Sequence, residues 1–377
     1  MPELTETITE RRRLTRNSIY RYLYDADTPR TKQELSLHLS LSLPTVHQNL
    51  SELLQAGLVE PGGLQQSTGG RRATGLVIAA NARFAVGVFV TQDRFRFLAS
   101  NLRMEEIAYK KTPPLPALSA AELGGRLAAE LEAFLDDFGL NRSKLLGVGI
   151  ALPGILDKDG QNILFSPTMQ LRGMTTAALT AAIPYPCYIA NDASAGGYAE
   201  CLAQTNNDSI AYLSLENGVG GAVLLGGVPY DGLTSRSGEF GHICVEPGGL
   251  PCKCGRQGCL EAYCSAMRIS DDLGITLEDF FEGLAAHNPT NEALWQDYLY
   301  HLAIGIHNIH MVLDCPVILG GVLTQYMAPW LPDLCRMTSS LSPFGEPADY
   351  LQLCHYPKRA IPLGVALHFI TDFVENL

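Results

Sequence analysis

The sequence predicts an α/β protein that carries a winged helix-turn-helix at its N-terminus. Three observations support this. Residues 5–55 hold three short stretches of helical apolar spacing, and a glycine-rich hairpin pattern follows them. From about residue 80, strand-like apolar runs alternate with helical ones, as in α/β architectures. Charge divides near the same place. Residues 1–75 carry nine Lys/Arg against eight Asp/Glu, a net of +1, and the rest carries 18 against 31, a net of −13. An acidic body repels nucleic acid, so any DNA contact must come from the N-terminal segment. The 377 residues, 46% of them hydrophobic, suffice for about two or three domains without covalent staples. No apolar run approaches the roughly 18 residues of a membrane span, and the opening MPELTETITERRRLTRN lacks an apolar signal core. A cytoplasmic location with no membrane association is expected.

Residues 5–24 read as the first helix, with Leu14, Ile19, Leu23 and Tyr24 at helical spacing. Thr31 and Glu34 can form a capping box that opens a second helix through Leu39. Ser42 can cap a third, with Pro44 in its first turn, where a missing N–H costs little. Val46, Leu50, Leu53 and Leu54 give that helix an apolar stripe, and Gly57 stops it. Two short strands then flank the loop GGLQQSTGGRRATG. Three helices and a hairpin make a winged helix-turn-helix over residues 1–79, whose third helix fits the major groove. Thr45, His47, Gln48 and Asn49 are expected on its exposed face as DNA contacts. Arg71 and Arg72 are expected at the wing tip, where guanidinium groups suit phosphates or a narrow minor groove. Arg11, Arg12, Arg13 and Arg16 add basic charge to the first helix. A helical dimerisation module is the other use of such a unit.

The body continues with strands at Phe84–Val90 and Arg94–Ala99, a helix at Ala120–Phe138 and a strand at Leu145–Leu152. Tyr188–Ala190 runs into Asn191-Asp192 and a helix at Ala193–Ala203. Ser209–Leu213 and Gly221–Leu225 are strands, long helices fill 267–312, and Pro316–Leu319 is a strand. Of the ten cysteines, three cluster as Cys252, Cys254 and Cys259, and His242 precedes them in the pattern H-x9-C-x-C-x4-C. Three thiolates and an imidazole suit tetrahedral Zn²⁺ with no open position, a structural site. The other cysteines read as small buried hydrophobes.

The stretch Leu215–His242, LENGVGGAVLLGGVPYDGLTSRSGEFGH, resembles the signature of the ROK family of repressors and sugar kinases. Gly218, Gly220, Gly232, Gly238, Gly241 and His242 fall where that signature places them. The resemblance runs over essentially the whole chain. It implies an actin-like, hexokinase-type body of two lobes: 80–188 with a C-terminal helix at about 363–374 (within 361–377) packing back on it, and 189–360 with the zinc loop. It implies that the four Cys/His positions hold zinc. It also implies a sugar site of Asn191, Asp192, Glu239, His242 and Glu261, residues whose amides and carboxylates suit sugar hydroxyls. Asp192 matches the catalytic base of the family's kinases.

Those kinases hold ATP with an Asp-x-Gly-Gly-Thr turn after the first strand. Here the equivalent segment places Phe89 at the acid, Thr91 and Gln92 at the glycines and Asp93 at the threonine. A second phosphate turn, usually Gly-Thr-Gly, reads Glu216-Asn217-Gly218. No ATP binding is expected. The resemblance therefore points to a regulator, a repressor of sugar uptake or catabolism genes. Its partners would be operator DNA, a sugar or sugar-phosphate effector, and further copies of itself in a homodimer or tetramer. An ATP-dependent sugar kinase is the alternative.

Overall fold

A computed structural model describes residues 8–64, 74–116, 119–166, 168–204 and 209–377. The N-terminal unit consists of α1 (Ile8–Tyr24), α2 (Lys32–His38) and α3 (Leu43–Gln55), then β1 (Val59–Leu64) antiparallel to β2 (Thr74–Ile78). Its starts follow from local chemistry. Thr31 and Glu34 close a capping box on α2, and the Ser42 side chain accepts from Thr45 N–H at the start of α3. Ile19, Tyr20, Leu23, Leu35, Val46, Leu50 and Leu53 form its core, each at most 1% exposed.

The first lobe contains β3 (Phe84–Val90), β4 (Phe95–Asn101), β5 (Glu106–Lys111), α4 (Ala120–Asp137) and β6 (Leu145–Leu152). A small sheet of β7 (Ile155–Leu156), β8 (Asn162–Ser166) and β9 (Leu171–Thr175) follows, then α5 (Ala177–Thr180) and β10 (Cys187–Asn191). The second lobe contains α6 (Asp192–Ala203), β11 (Ile210–Leu215), β12 (Val219–Leu225), β13 (Val228–Pro229), α7 (Leu260–Cys264), α8 (Leu277–Ala285) and α9 (Pro289–Leu313). It continues with β14 (Val317–Gly320), α10 (Thr324–Met327), α11 (Leu331–Leu341) and β15 (Leu351–Leu353), and α12 (Ala360–Asn376) follows.

The two large sheets share one plan. The first has the order β5-β4-β3-β6-β10 and the second β13-β12-β11-β14-β15. In each, three strands meander antiparallel and two more join in parallel. Two copies of one layout meet where Asp192, just after β10, comes close to Glu216, just after β11. The strand Cys187–Asn191 lies in the first sheet, so the change of sheet comes after Asn191 rather than at 188. The elements β5, β7–β9, α5, β13, α7, α10, α11 and β15 are additions to those read from the sequence.

The helix α12 joins all three units. It packs on the β3 and β6 side of the first sheet and against α6, and its outer end meets α1. Close approach depends on glycine. A Cβ on Gly364 would lie 1.8 Å from Ala195 O, and one on Gly87 would lie 1.7 Å from Pro362 O. Gly364→Ala is therefore expected to cost about 2–3 kcal/mol in urea unfolding, because the obstacle is backbone that no rotamer change can clear. The buried carboxylate of Glu200, near the end of α6, accepts from His355 N–H at 2.7 Å and Tyr356 N–H at 2.9 Å, and so ties α6 to the segment that leads into α12. No described helix is long and apolar enough to cross a membrane.

Candidate functional site

The metal-ligating quartet comes together as spaced. One ligand atom from each of His242, Cys252, Cys254 and Cys259 lies within 4.8 Å of the others. Cys254 Sγ is 3.7 Å from Cys259 Sγ, and Cys252 Sγ is 3.9 Å from His242 Nδ1. A tetrahedron with metal–sulfur bonds near 2.3 Å has edges of about 3.8 Å, so the four atoms fit one ion that could be held there. The backbone is prearranged. Cys252 N–H donates to Arg256 O and Gly255 N–H to Cys252 O, a tight knuckle under two thiols. Gly258 has φ +79°, and a Cβ there would meet Glu246 O at 1.9 Å. From behind, the Tyr263 hydroxyl accepts from Leu250 N–H at 2.7 Å, and its ring stacks on His301 at 3.8 Å. Cys244 departs from the expected burial: its thiol is exposed beside this loop and outside the quartet.

Next to the loop the cleft gathers acids. Asn191 caps α6, accepting from Ser194 N–H at 2.9 Å, and its amide donates to Gly154 O at 2.9 Å. Part of its capacity is thus spent on fixing the helix start. Asp192 opens α6. It is half-buried, and burial pushes its carboxyl up to about 7, with the nearby charges of Glu216 and Glu239 pushing the same way. Glu239 is raised by burial and by Glu261, against the pull of His242. Its Oε2 lies 3.8 Å from His242 Nε2. Glu261 follows the last thiol in sequence, and its Oε2 accepts from Val219 N–H at 3.0 Å. His242 therefore turns Nδ1 toward the thiols and Nε2 toward the acids. Fixed acceptors around an accessible floor can bind a polyhydroxyl ligand. Glu216, read from sequence as part of a phosphate turn, belongs to this cluster. Its distance in sequence from the other motifs hid that.

The residues expected to face DNA divide. His47 and Gln48 are exposed on α3, and Thr45 is half-buried. Asn49 is a correction: it is 3% exposed and donates to Thr45 O at 2.9 Å, so it packs inward, whereas Leu54 of the expected apolar stripe is 37% exposed. The expected Val46, Leu50 and Leu53 are buried, and Asn49 rather than Leu54 shares their face. Arg71 and Arg72 lie outside the described residues. The arginines of α1 are partly committed within the fold. Arg12 and Arg16 both pair with Glu52 of α3, and Arg13 pairs with Glu10.

In the segment aligned with the ATP turn the strand end is buried and the turn itself, with Gln92 and Asp93, is exposed. Phe89 is 3% exposed beneath the Arg96 guanidinium, 5.2 Å from its ring centre, and Asp93 pairs with Arg94 at 2.5 Å.

Known proteins resemble the chain along most of its length. The ROK family model matches residues 97–344. The xylose repressor of Bacillus subtilis (strain 168) is 30% identical over 293 residues, 75% of each chain. The DNA-binding transcriptional dual regulator NagC of Escherichia coli (strain K12) is 28% identical over 262 residues, 68% of this chain and 64% of NagC. Among solved structures, a ROK family transcriptional regulator described as a homolog of the E. coli MLC protein superposes with a TM-score of 0.76 at 22% identity, covering 97% of both chains. A ROK hexokinase from Thermus thermophilus gives 0.62 at 25% identity, over 75% of this chain and 97% of its own. The kinase matches the two lobes and the regulator matches the winged unit as well, and with the motif model spanning both sheets the chain belongs to the ROK family.

Proposed function

We propose that the protein is a sugar-responsive transcriptional regulator, a repressor of carbohydrate uptake or catabolism genes acting in the cytoplasm. Residues 1–79 bind operator DNA, and 80–191, with α12 packed back on it, and 192–360 form the two lobes that close on the effector. The observation that carries this reading is a continuous packed path from cleft to winged unit. Asp192 opens α6, α6 packs along α12, and α12 meets α1. At that joint the Asn17 amide donates to Glu375 O, Tyr20 meets Phe373 edge-on at 6.3 Å, and Arg13 reaches Asn376 O at 3.5 Å. A second joint comes from the first lobe, where the Arg103 guanidinium donates to Leu23 O, Tyr24 O and Ala26 O at the end of α1. Lobe movement on binding a sugar therefore shifts the winged unit as a body. In a homodimer or tetramer each unit must meet a half-site about one helical turn, or a multiple, from its mate, so a small shift weakens operator binding.

Asn191, Asp192, Glu239, His242 and Glu261 hold the sugar or sugar phosphate. His242, Cys252, Cys254 and Cys259 would hold a structural Zn²⁺, which supplies a fixed crosslink and no reaction chemistry. Its place in the chain's own design is to orient His242, whose other nitrogen faces the sugar acids. ATP is not a ligand in this reading: Phe89 offers no oxygen to a magnesium ion, and Asp93 repels phosphate. Asp192, poised near neutrality, is the observation that favours the kinase alternative, and ADP formation with a panel of hexoses decides it.

Thr45, His47 and Gln48 read the major groove, and Arg71 and Arg72 grip phosphate or the minor groove. Fluorescence anisotropy on DNA upstream of the gene, with and without sugars and sugar phosphates, tests the whole reading. Gln48→Ala is expected to weaken operator binding about tenfold and to relax base preference, whereas Arg71→Ala weakens all sequences alike and lowers the salt slope by about one. Tight binding to DNA that no sugar or sugar phosphate alters removes the effector model.

A further inference from the structure

We propose that Arg96 and Glu216 form an interlobe ion pair that sets how far the cleft closes, and that both are positioning residues for the sugar response. Arg96 stands in β4 of the first lobe and Glu216 in the turn after β11 of the second. Arg96 Nη2 lies 3.9 Å from Glu216 Oε2, and each side chain is only 16% exposed. The pair therefore spans the two lobes where solvent screens it weakly.

Each partner is fixed by its own lobe. The Val322 N–H favours the charged Glu216 carboxylate, the Glu216 N–H donates to Gly218 O at 3.0 Å, and its carbonyl accepts from Ala266 N–H at 2.9 Å. Arg96 lies over the Phe89 ring. Strand register explains why the first lobe wants an anion at this point. Phe89 pairs with Arg96 across β3 and β4, and Arg96 pairs with Lys111 across β4 and β5. Directly opposed residues share a sheet face, so two cations stand side by side, an arrangement that destabilises a sheet by itself. Glu216 is attracted to both, and that attraction opposes the burial that raises its carboxyl. Lys111 in turn loses basicity through burial and through Arg94 and Arg96. Asp93 of the first lobe also acts on Lys111 but is paired with Arg94, so the carboxylate that faces Arg96 is supplied from the opposite lobe, when the lobes meet. On its far side Glu216 acts on Asp192. The pair joins the sugar floor to the first lobe, over the buried Phe89.

This inference rests on the sugar-cleft reading for its consequence and not for its geometry. Closing the cleft is favoured by the pair, so its loss lowers the population of the closed, sugar-competent form. The test uses the full chain and a double-mutant cycle. Glu216→Gln keeps an acceptor for Val322 N–H, and Arg96→Met keeps an apolar stem over Phe89. Without sugar or DNA, hydrogen exchange is compared in β4 and in the 215–219 turn. Each single variant should speed exchange about tenfold on both sides of the cleft, and the double variant should add little more. Sugar affinity, for the sugar found in the anisotropy panel, should fall by the same factor. Exchange that changes only on the mutated side, or strictly additive effects, overturns the interlobe pair. That arm needs no sugar, so a wild-type chain that binds none sinks the sugar reading and leaves the exchange result to decide this one. Unchanged sugar affinity alongside faster exchange overturns the positioning role.

Discussion

Replacing Cys254 or Cys259 with serine is expected to abolish stoichiometric zinc binding, lower the melting midpoint by about 10 °C or more and remove the sugar response. Residues 246–257 are mostly exposed, with only Cys252 buried among them, so little apolar packing holds this loop. What remains without an ion is a knuckle turn, two isolated β-bridges and the Tyr263 contact. Structural zinc contributes folding free energy outright, about 10–16 kcal/mol in small peptides, and a prefolded lobe shares only part of that. The functional loss follows from position. Glu239 and His242 precede the loop and Glu261 comes just after its last thiol, so a slack loop misplaces three of the five sugar residues together. Metal analysis, thermal melting and sugar titration on the same preparations check this. Cys244→Ser is the control, since that exposed thiol lies outside the quartet and its loss should leave zinc content unchanged.

Asp192→Asn is expected to weaken sugar binding about 10–100-fold and to leave operator affinity intact, giving a repressor that sugar no longer releases. Hydrogen bonds to a charged acceptor contribute about 1.5–3 kcal/mol, and the amide keeps the shape but not the charge. The substitution also has a signature in pH. Burial raises the folded carboxyl from an ordinary 3.8 to about 7. The folded chain therefore holds a proton that the unfolded chain has released, and stability present below about pH 4 is lost as pH rises toward 7. Asparagine does not titrate. The variant should melt above the wild type at pH 8, and the gap should narrow by pH 5 and close near pH 4. A gap that is constant across that range would place the Asp192 carboxyl at its ordinary value.

Local chemistry made much of this legible. A capping box, a serine cap before proline and the H-x9-C-x-C-x4-C spacing each operate over a few residues, and each appears in the structure at its expected place. What failed to show was set at long range. Asn49 reads as polar and exposed, but its amide reaches back to Thr45 O and buries itself. The short strands of β7–β9 and β15 lack the length or alternation that marks a strand. Glu216 looked like a damaged phosphate turn, and Arg96 like an ordinary strand residue; only the apposition of two lobes gives either a partner. The winged unit's basic first helix likewise lost part of its expected free charge to Glu52, 36 and 40 residues away in sequence.

The helix α12 also imposes an order of events on synthesis. The Asn17–Glu375 contact joins residues 358 apart, and the core beneath it mixes Ile19, Tyr20 and Leu23 with Leu363, Leu367 and Ile370. At roughly 5–20 residues per second a ribosome makes α12 about 20–70 s after α1. During that interval the winged unit has only its joint to Arg103 and lacks the α12 part of its seat, and the first sheet has a bare apolar face. On the proposed function, a nascent chain is therefore unable to hold an operator in the geometry that a sugar can undo, and regulation begins only once a copy is assembled far enough to be switched off.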